Sequence, residues 1–172
     1  MVIWIIGLSG SGKTTITDSV YDTVSSKLKN IIKIDGDVIR EMFSNDLGYS
    51  IEDRKKSAHR MSKLSQFLEN QNMIVLCSTI SAFEFDRKWN RENLKAYHEI
   101  YIKTPKNILI KRENNNIYKN FLNGKINNVV GFDIPFEEPT LSDMIIKNDS
   151  TIEKFLDHSP IISNFILENY KQ

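Results

Sequence analysis

The chain of 172 residues has one cysteine, Cys77, so no internal disulfide can form and a reducing compartment, the cytoplasm, is expected. It lacks an excess of either charge. With 23 Lys and Arg against 22 Asp and Glu, no global field attracts a nucleic acid polymer or an anionic membrane. Apolar runs stop well short of the ~20 residues that a membrane span requires. The opening Met-Val-Ile-Trp-Ile-Ile-Gly lacks a basic leader and reads as a strand, not a signal peptide. His59, His98 and His158 have no partners at metal-ligand spacing, which argues against a structural zinc site. What remains is a chain read as one domain over 1–172.

Strands and helices alternate along it. Residues 2–6 are continuously apolar and β-branched, the pattern of a strand covered on both faces, and Gly7 ends it. Ile16, Val20 and Val24 recur at spacings of four and predict a helix from Lys13 to about Leu28. A strand is expected over Asn30–Ile34, a short helix over Val38–Phe43, a long helix over 52–70 and a strand over Met73–Cys77. A helix ending over Glu92–Tyr97, a strand over His98–Lys103 and a helix opened by Pro105 follow. Residues 113–143 lose clear periodicity and read as a lid. Met144–Lys147 reads as a fifth strand. Ser150 and Glu153 fit a capping box for a C-terminal helix broken at Pro160. This order predicts an α/β fold: a five-stranded, mostly parallel sheet flanked by helices, with its ligand crevice at the carboxyl ends of the strands.

Gly7-Leu8-Ser9-Gly10-Ser11-Gly12-Lys13-Thr14 matches GxxxxGK[ST] between a strand and a helix, the context that this P-loop motif requires. Its glycines let backbone N–H groups converge on phosphates at a helix N-terminus. Lys13 reaches the β and γ oxygens, and Thr14 offers a hydroxyl to Mg2+. The motif identifies a nucleotide-binding site of the P-loop NTPase fold. Asp35-Gly36-Asp37 follows the second strand, expected to neighbour the P-loop strand, so both carboxylates should lie near the γ-phosphate. In isolation such a pair is as readily an Asx turn as a catalytic group.

Taken together, GLSGSGKTT, IDGDVIR at 34–40, DLGYSIEDR at 46–54, KRENNNIYK at 111–119 and VVGFDIPFEEP at 129–139 resemble the adenylylsulfate kinase family over nearly the whole chain. The resemblance implies phosphoryl transfer from ATP to the 3′-hydroxyl of a nucleotide ribose. It places Gly7, Ser9, Gly10, Ser11, Gly12, Lys13, Thr14, Thr15 and Arg112 on the ATP. Lys13 and Asp37 become the catalytic residues, and Thr14 and Asp37 the metal residues. Asp35, Asp37, Arg40, Tyr49, Arg54, Ser81, Glu84 and Val129 fall on the acceptor. Arg40 and Arg54 would grip its anionic end and Tyr49 would stack on its base, roles that suit planar guanidinium forks and an aromatic face. The family is commonly dimeric, so a homodimer is expected.

Departures from the family pattern bear on the acceptor. Its Phe-Ile-Ser-Pro-Tyr-Arg segment reads Thr79-Ile80-Ser81-Ala82-Phe83-Glu84, its second stacking Phe is Val129, the Asn after its Asp-Arg pair is Ser57, and a lid Lys is Asn115. Losing one aromatic wall costs about 1–3 kcal/mol of base stacking, and a charge reversal beside an anion adds to that. A pyrimidine acceptor with an amine fits both changes. The chain thus resembles the cytidine diphosphoramidate kinases, relatives that serve phosphoramidate decoration of capsular polysaccharide, and Glu84 is expected to receive an N–H of the phosphoramide. An adenylylsulfate kinase with an altered acceptor loop, another small-molecule P-loop kinase and a nucleotide-binding module without catalysis are the alternatives. Cys77, Trp4 and Met73 are read as core residues. Trp89 could be core, interface or loop support, and Lys55-Lys56 a solvated face or part of an acceptor-phosphate field. Phe132 and Phe136 could cover the site or anchor the lid, with Phe136 favoured as an anchor.

Overall fold

The computed structural model describes residues 1–112 and 116–170. Five parallel strands, β1 (Val2–Ile6), β2 (Ile31–Asp35), β3 (Ile74–Thr79), β4 (Tyr97–Lys103) and β5 (Met144–Lys147), form a sheet in the order β2-β3-β1-β4-β5. The alternation of side chains along β1 divides the core. Ile3 and Ile5 pack on one face against Ile16, Val20 and Val24 of α1 (Lys13–Ser25) and Ile162 and Ile166 of α8 (Ser159–Asn169). Val2, Trp4 and Ile6 pack on the other face with Ile39 of α2 (Gly36–Met42) and Met61 of α3 (Ile51–Asn70), beside Cys77. Each fully buried aliphatic side chain there contributes about 1.5–3 kcal/mol relative to exposure. Burial also pushes the Cys77 thiol well above its usual range, as expected of an inert core cysteine.

A third apolar cluster lies over the carboxyl ends of the strands. Leu8, Ala82 and Phe83 meet Leu109 of α5 (Lys106–Arg112), Tyr118 of α6 (Ile117–Leu122), and Val129, Val130 and Ile134. The stretch expected to be irregular therefore contains a helix. Ile117, Tyr118 and Phe121 share one side of α6, and Phe132 packs on Tyr118 and Phe121 with ring centroids 4.8 and 5.3 Å apart. Phe136 stacks at 5.7 Å on Tyr101 and anchors the segment to the sheet.

Several expectations shift. β2 does not adjoin the P-loop strand, because β3 lies between them. α1 stops at Ser25, and α4 (Glu84–Asn93) ends before Tyr97, which opens β4. Thr151, not Ser150, is the N-cap residue of α7 (Ile152–Leu156), and Glu153 gains its low pKa from its own backbone N–H and from Thr151. Pro160 lies in the first turn of α8, where its missing N–H is free of cost, so it starts that helix while the break precedes it. Trp89 meets His59 edge-on at 5.4 Å and carries Lys63 at 4.5 Å over its ring, so it braces α4 on α3. Lys56 pairs with Glu52 on the helix surface, whereas Lys55 lies over Phe83. No helix among the described residues is long and apolar enough to cross a membrane.

Candidate active site

The P-loop is held from below. Gly7 and Gly12 take φ of 155° and 95°, and a Cβ on Gly7 would sit 2.6 Å from the Ile102 carbonyl and 2.7 Å from Ser11 Oγ. Asn148, directly after β5 and 4% exposed, donates through Nδ2 to the Ser11 carbonyl at 2.9 Å. Its Oδ1 accepts from Arg112 at 2.8 Å, and Arg112 also donates to the Ser150 carbonyl. A cavity of about 620 Å³ is lined by Ser9, Gly10, Gly12, Lys13, Thr14, Thr15, Arg112, Asn148 and residues 150–152. Gly7 and Ser11 lie beneath the loop and shape it without lining this cavity.

Lys13 donates to the Leu8 carbonyl at 2.8 Å. Burial lowers its pKa to about 8, against the raising effect of Asp35 and Asp37. Thr14 Oγ1 is 3.4 Å from Asp35 Oδ2, which also accepts from Ser78, while Asp35 Oδ1 receives the Asp37 N–H at 2.9 Å as the N-cap of α2. The carboxylate beside Thr14 is thus Asp35, not Asp37. Ser78 of β3, which bonds to Asp35 at the end of β2, was not singled out by the sequence. A hydroxyl next to a carboxylate is a hard-oxygen donor set that fits Mg2+ shared with nucleotide phosphates. No group of three or more His, Cys, Asp or Glu among the described residues forms a metal cage.

A second cavity, about 670 Å³, shares Ser9, Gly10, Lys13 and Thr14 with the first. Asp35, Asp37, Arg40, Tyr49, Arg54, Ser81 and Val129 line it, so seven of the eight expected acceptor residues meet there. Arg40 donates to the carbonyls of Leu47 and Gly48, both at 3.0 Å. Arg54 donates to Tyr49 at 3.0 Å and to Asn128 at 2.7 Å. Their guanidinium groups lie 4.9 and 5.3 Å from the Tyr49 ring, which is 57% exposed. Burial, then Arg40, lowers the Arg54 pKa. Val129 is fixed by Asp133, whose carboxylate accepts the N–H groups of Val129 and Asn128 at 2.6 and 2.7 Å.

The eighth residue, Glu84, is elsewhere. Its carboxylate accepts from Arg87 Nε at 2.9 Å and from Arg91. Arg87, fully buried, also donates to Ser81 O at 2.6 Å and Glu137 O at 2.7 Å, tying the acceptor loop to the 129–139 segment. The negative charge is absorbed by two guanidinium groups, so Glu84 is a brace. Glu84→Gln is expected to leave the preference between acceptors within about twofold and to cost about 1 kcal/mol of stability, discounted because Glu84 is half-exposed. Acceptor kinetics with a thermal melt check this. The Asn115 substitution lies outside the described residues.

Asn148, Asp133, Arg87 and Asp86 escaped the sequence reading. Asn148 had one usable signal, its position at the carboxyl end of a strand. The others act through folded proximity alone.

The parallel sheet, the P-loop and the two cavities that meet at Lys13 define a P-loop nucleotide-binding fold with room for a second ligand beside the phosphate site. Residues 1–147 match the family described as adenylylsulphate kinase. The chain belongs to that family and is a kinase. It is 42% identical over 147 residues to the cytidine diphosphoramidate kinase of Campylobacter jejuni, covering 86% of this chain and 85% of the relative. It is 36% identical to a probable adenylyl-sulfate kinase of Bacillus subtilis, over 84% of this chain and 75% of that one. An APS kinase of Mycobacterium tuberculosis, solved with AMPPNP and APS, superposes with a TM-score of 0.87 at 25% identity, over 98% and 97% of the two chains.

Proposed function

We propose that the protein transfers the γ-phosphoryl group of ATP, with Mg2+, to the ribose 3′-hydroxyl of cytidine diphosphoramidate. The observation that carries this reading is the second cavity. Lys13 and Asp37 line it together with Tyr49, Phe83 and Tyr118, and the aliphatic Val129 stands where the family pattern has its second stacking Phe. A pyrimidine loses less than a purine from the missing wall, and the similarity to the Campylobacter enzyme points the same way. The similarity to adenylyl-sulfate kinases keeps adenylylsulfate as the second reading.

Lys13 leaves the Leu8 carbonyl for the β and γ oxygens, and backbone N–H groups of the loop hold the phosphates. Thr14, backed by Asp35, would hold Mg2+, which would supply positive charge to the transferring group. Asp37, on the first turn of α2, orients the 3′-hydroxyl and receives its proton, and the displacement is in line without a phosphoenzyme. With ATP, Mg2+ and cytidine diphosphoramidate, 31P NMR is expected to show a new phosphomonoester coupled to the ribose 3′ carbon. A phosphoryl group on the terminal phosphoramide, or none transferred, would sink the proposal.

Lys13 supplies a pH test. Its pKa of about 8 in the free protein rises when phosphate anions replace the carbonyl, so ATP binding takes up a proton between about pH 8 and the higher pKa of the complex. Affinity accordingly falls as pH climbs through 8. Calorimetry at pH 8.5 in buffers of different ionisation enthalpy is expected to show this uptake in the wild type and none in Lys13→Met.

A further inference from the structure

Asp86 is the third residue of α4 and 1% exposed, yet it lines the acceptor cavity. Both carboxylate oxygens lack a hydrogen-bond partner among the described residues, and the buried hydroxyl of Ser81 in the same wall lacks one too. The groups that act on its charge are Arg87, Lys55 and Glu137, and none belongs to the phosphate end formed by Lys13, Asp35 and Asp37. Apolar neighbours Ala82, Phe83 and Val129 complete this end of the cavity. A base meets apolar walls there, with the Asp86 carboxylate as an acceptor of hydrogen bonds and the Ser81 hydroxyl in the same cavity.

We propose that Asp86 is a specificity-determining residue that receives the exocyclic amino group of the acceptor's base and so selects amino bases over oxo bases. The inference deepens the nucleotide-acceptor reading and rests on it. A buried acceptor that a ligand must satisfy penalises any analogue presenting a carbonyl in place of the amine, because two acceptors then face one another unpaired. The carboxyl is also held at a cost to folding. Burial raises its pKa to about 6, against Arg87 and Lys55 and with Glu137. A raised acid pKa means that the folded state binds more protons between about pH 4 and 6, so stability falls as pH rises through that window.

The test uses equilibrium binding to the whole protein with its ATP site saturated by AMPPNP, comparing CDP with UDP. The wild type is expected to favour CDP by at least tenfold. Asp86→Asn, which can donate as well as accept, is expected to bring the ratio to near one and to melt higher than the wild type at pH 7 but not at pH 4. Asp86→Ala should also lose the ratio. An unchanged ratio in a folded Asp86→Asn protein, or a CDP preference absent from the wild type, overturns the proposal. Failure to phosphorylate cytidine diphosphoramidate would instead contradict the proposed reaction, since the binding ratio is read without turnover.

Discussion

Asp37→Asn is expected to lower kcat by about 10²–10⁴-fold, the range for removing a positioned general base, while leaving the KM for ATP within about threefold. The substitution keeps the side chain's size, and the side chain is exposed on the first turn of α2, so the melting temperature should hardly move. The fold contact at this position is made by the Asp37 backbone N–H to Asp35, which Asn retains. One secondary effect needs control. Asp37 raises the Lys13 pKa, so its loss lets burial depress that pKa further. Assays at pH 6.5 keep Lys13 protonated and isolate the loss of the base. A kcat within threefold of wild type there would remove Asp37 from the chemistry.

Gly12→Ala is expected to cost about 1–3 kcal/mol from backbone strain alone, or roughly 2–4 °C of Tm per kcal/mol in a chain of this size. The damage should extend to the nucleotide. At φ of 95° the new Cβ would sit 2.7 Å from Asn148 Nδ2 and 2.8 Å from Phe155 Cε1. Phe155 is fixed in the core, so Asn148 must give way. Asn148 is the link between the Ser11 carbonyl and Arg112, and its shift disturbs both the loop and the side of the cavity that faces it. Binding of ATP should weaken by tenfold or more, about 1.4 kcal/mol. Wild-type affinity with a lowered Tm would separate the fold from the site at this glycine.

The donor half of the molecule was legible in the sequence because it depends on local grammar. A β-branched strand, a glycine loop and a helix with apolar spacing of four each form from neighbours in the chain, and they lie where expected. Long-range relations were not legible. Nothing in the residues of β2 announces that β3 intervenes between it and β1, since strand order is decided by crossovers. Helix α6 was lost among asparagines because its apolar side is only two turns long and is completed by Phe132 from a distant segment. Glu84 misled for a related reason. A charge reversal reads as a change toward the ligand until Arg87 and Arg91 are seen to receive it. Asp86, two positions later, carried no signal until its burial and its unpaired oxygens placed it in the cavity wall.

The identity of the acceptor is tested most directly by kcat/KM for cytidine diphosphoramidate and for adenylylsulfate under one set of conditions. With Val129 in place of the family's second stacking Phe, the expected ratio is about tenfold or more in favour of the cytidine acceptor, consistent with ~1–3 kcal/mol of lost purine stacking. Equal turnover of the two, or a preference for adenylylsulfate, would contradict it.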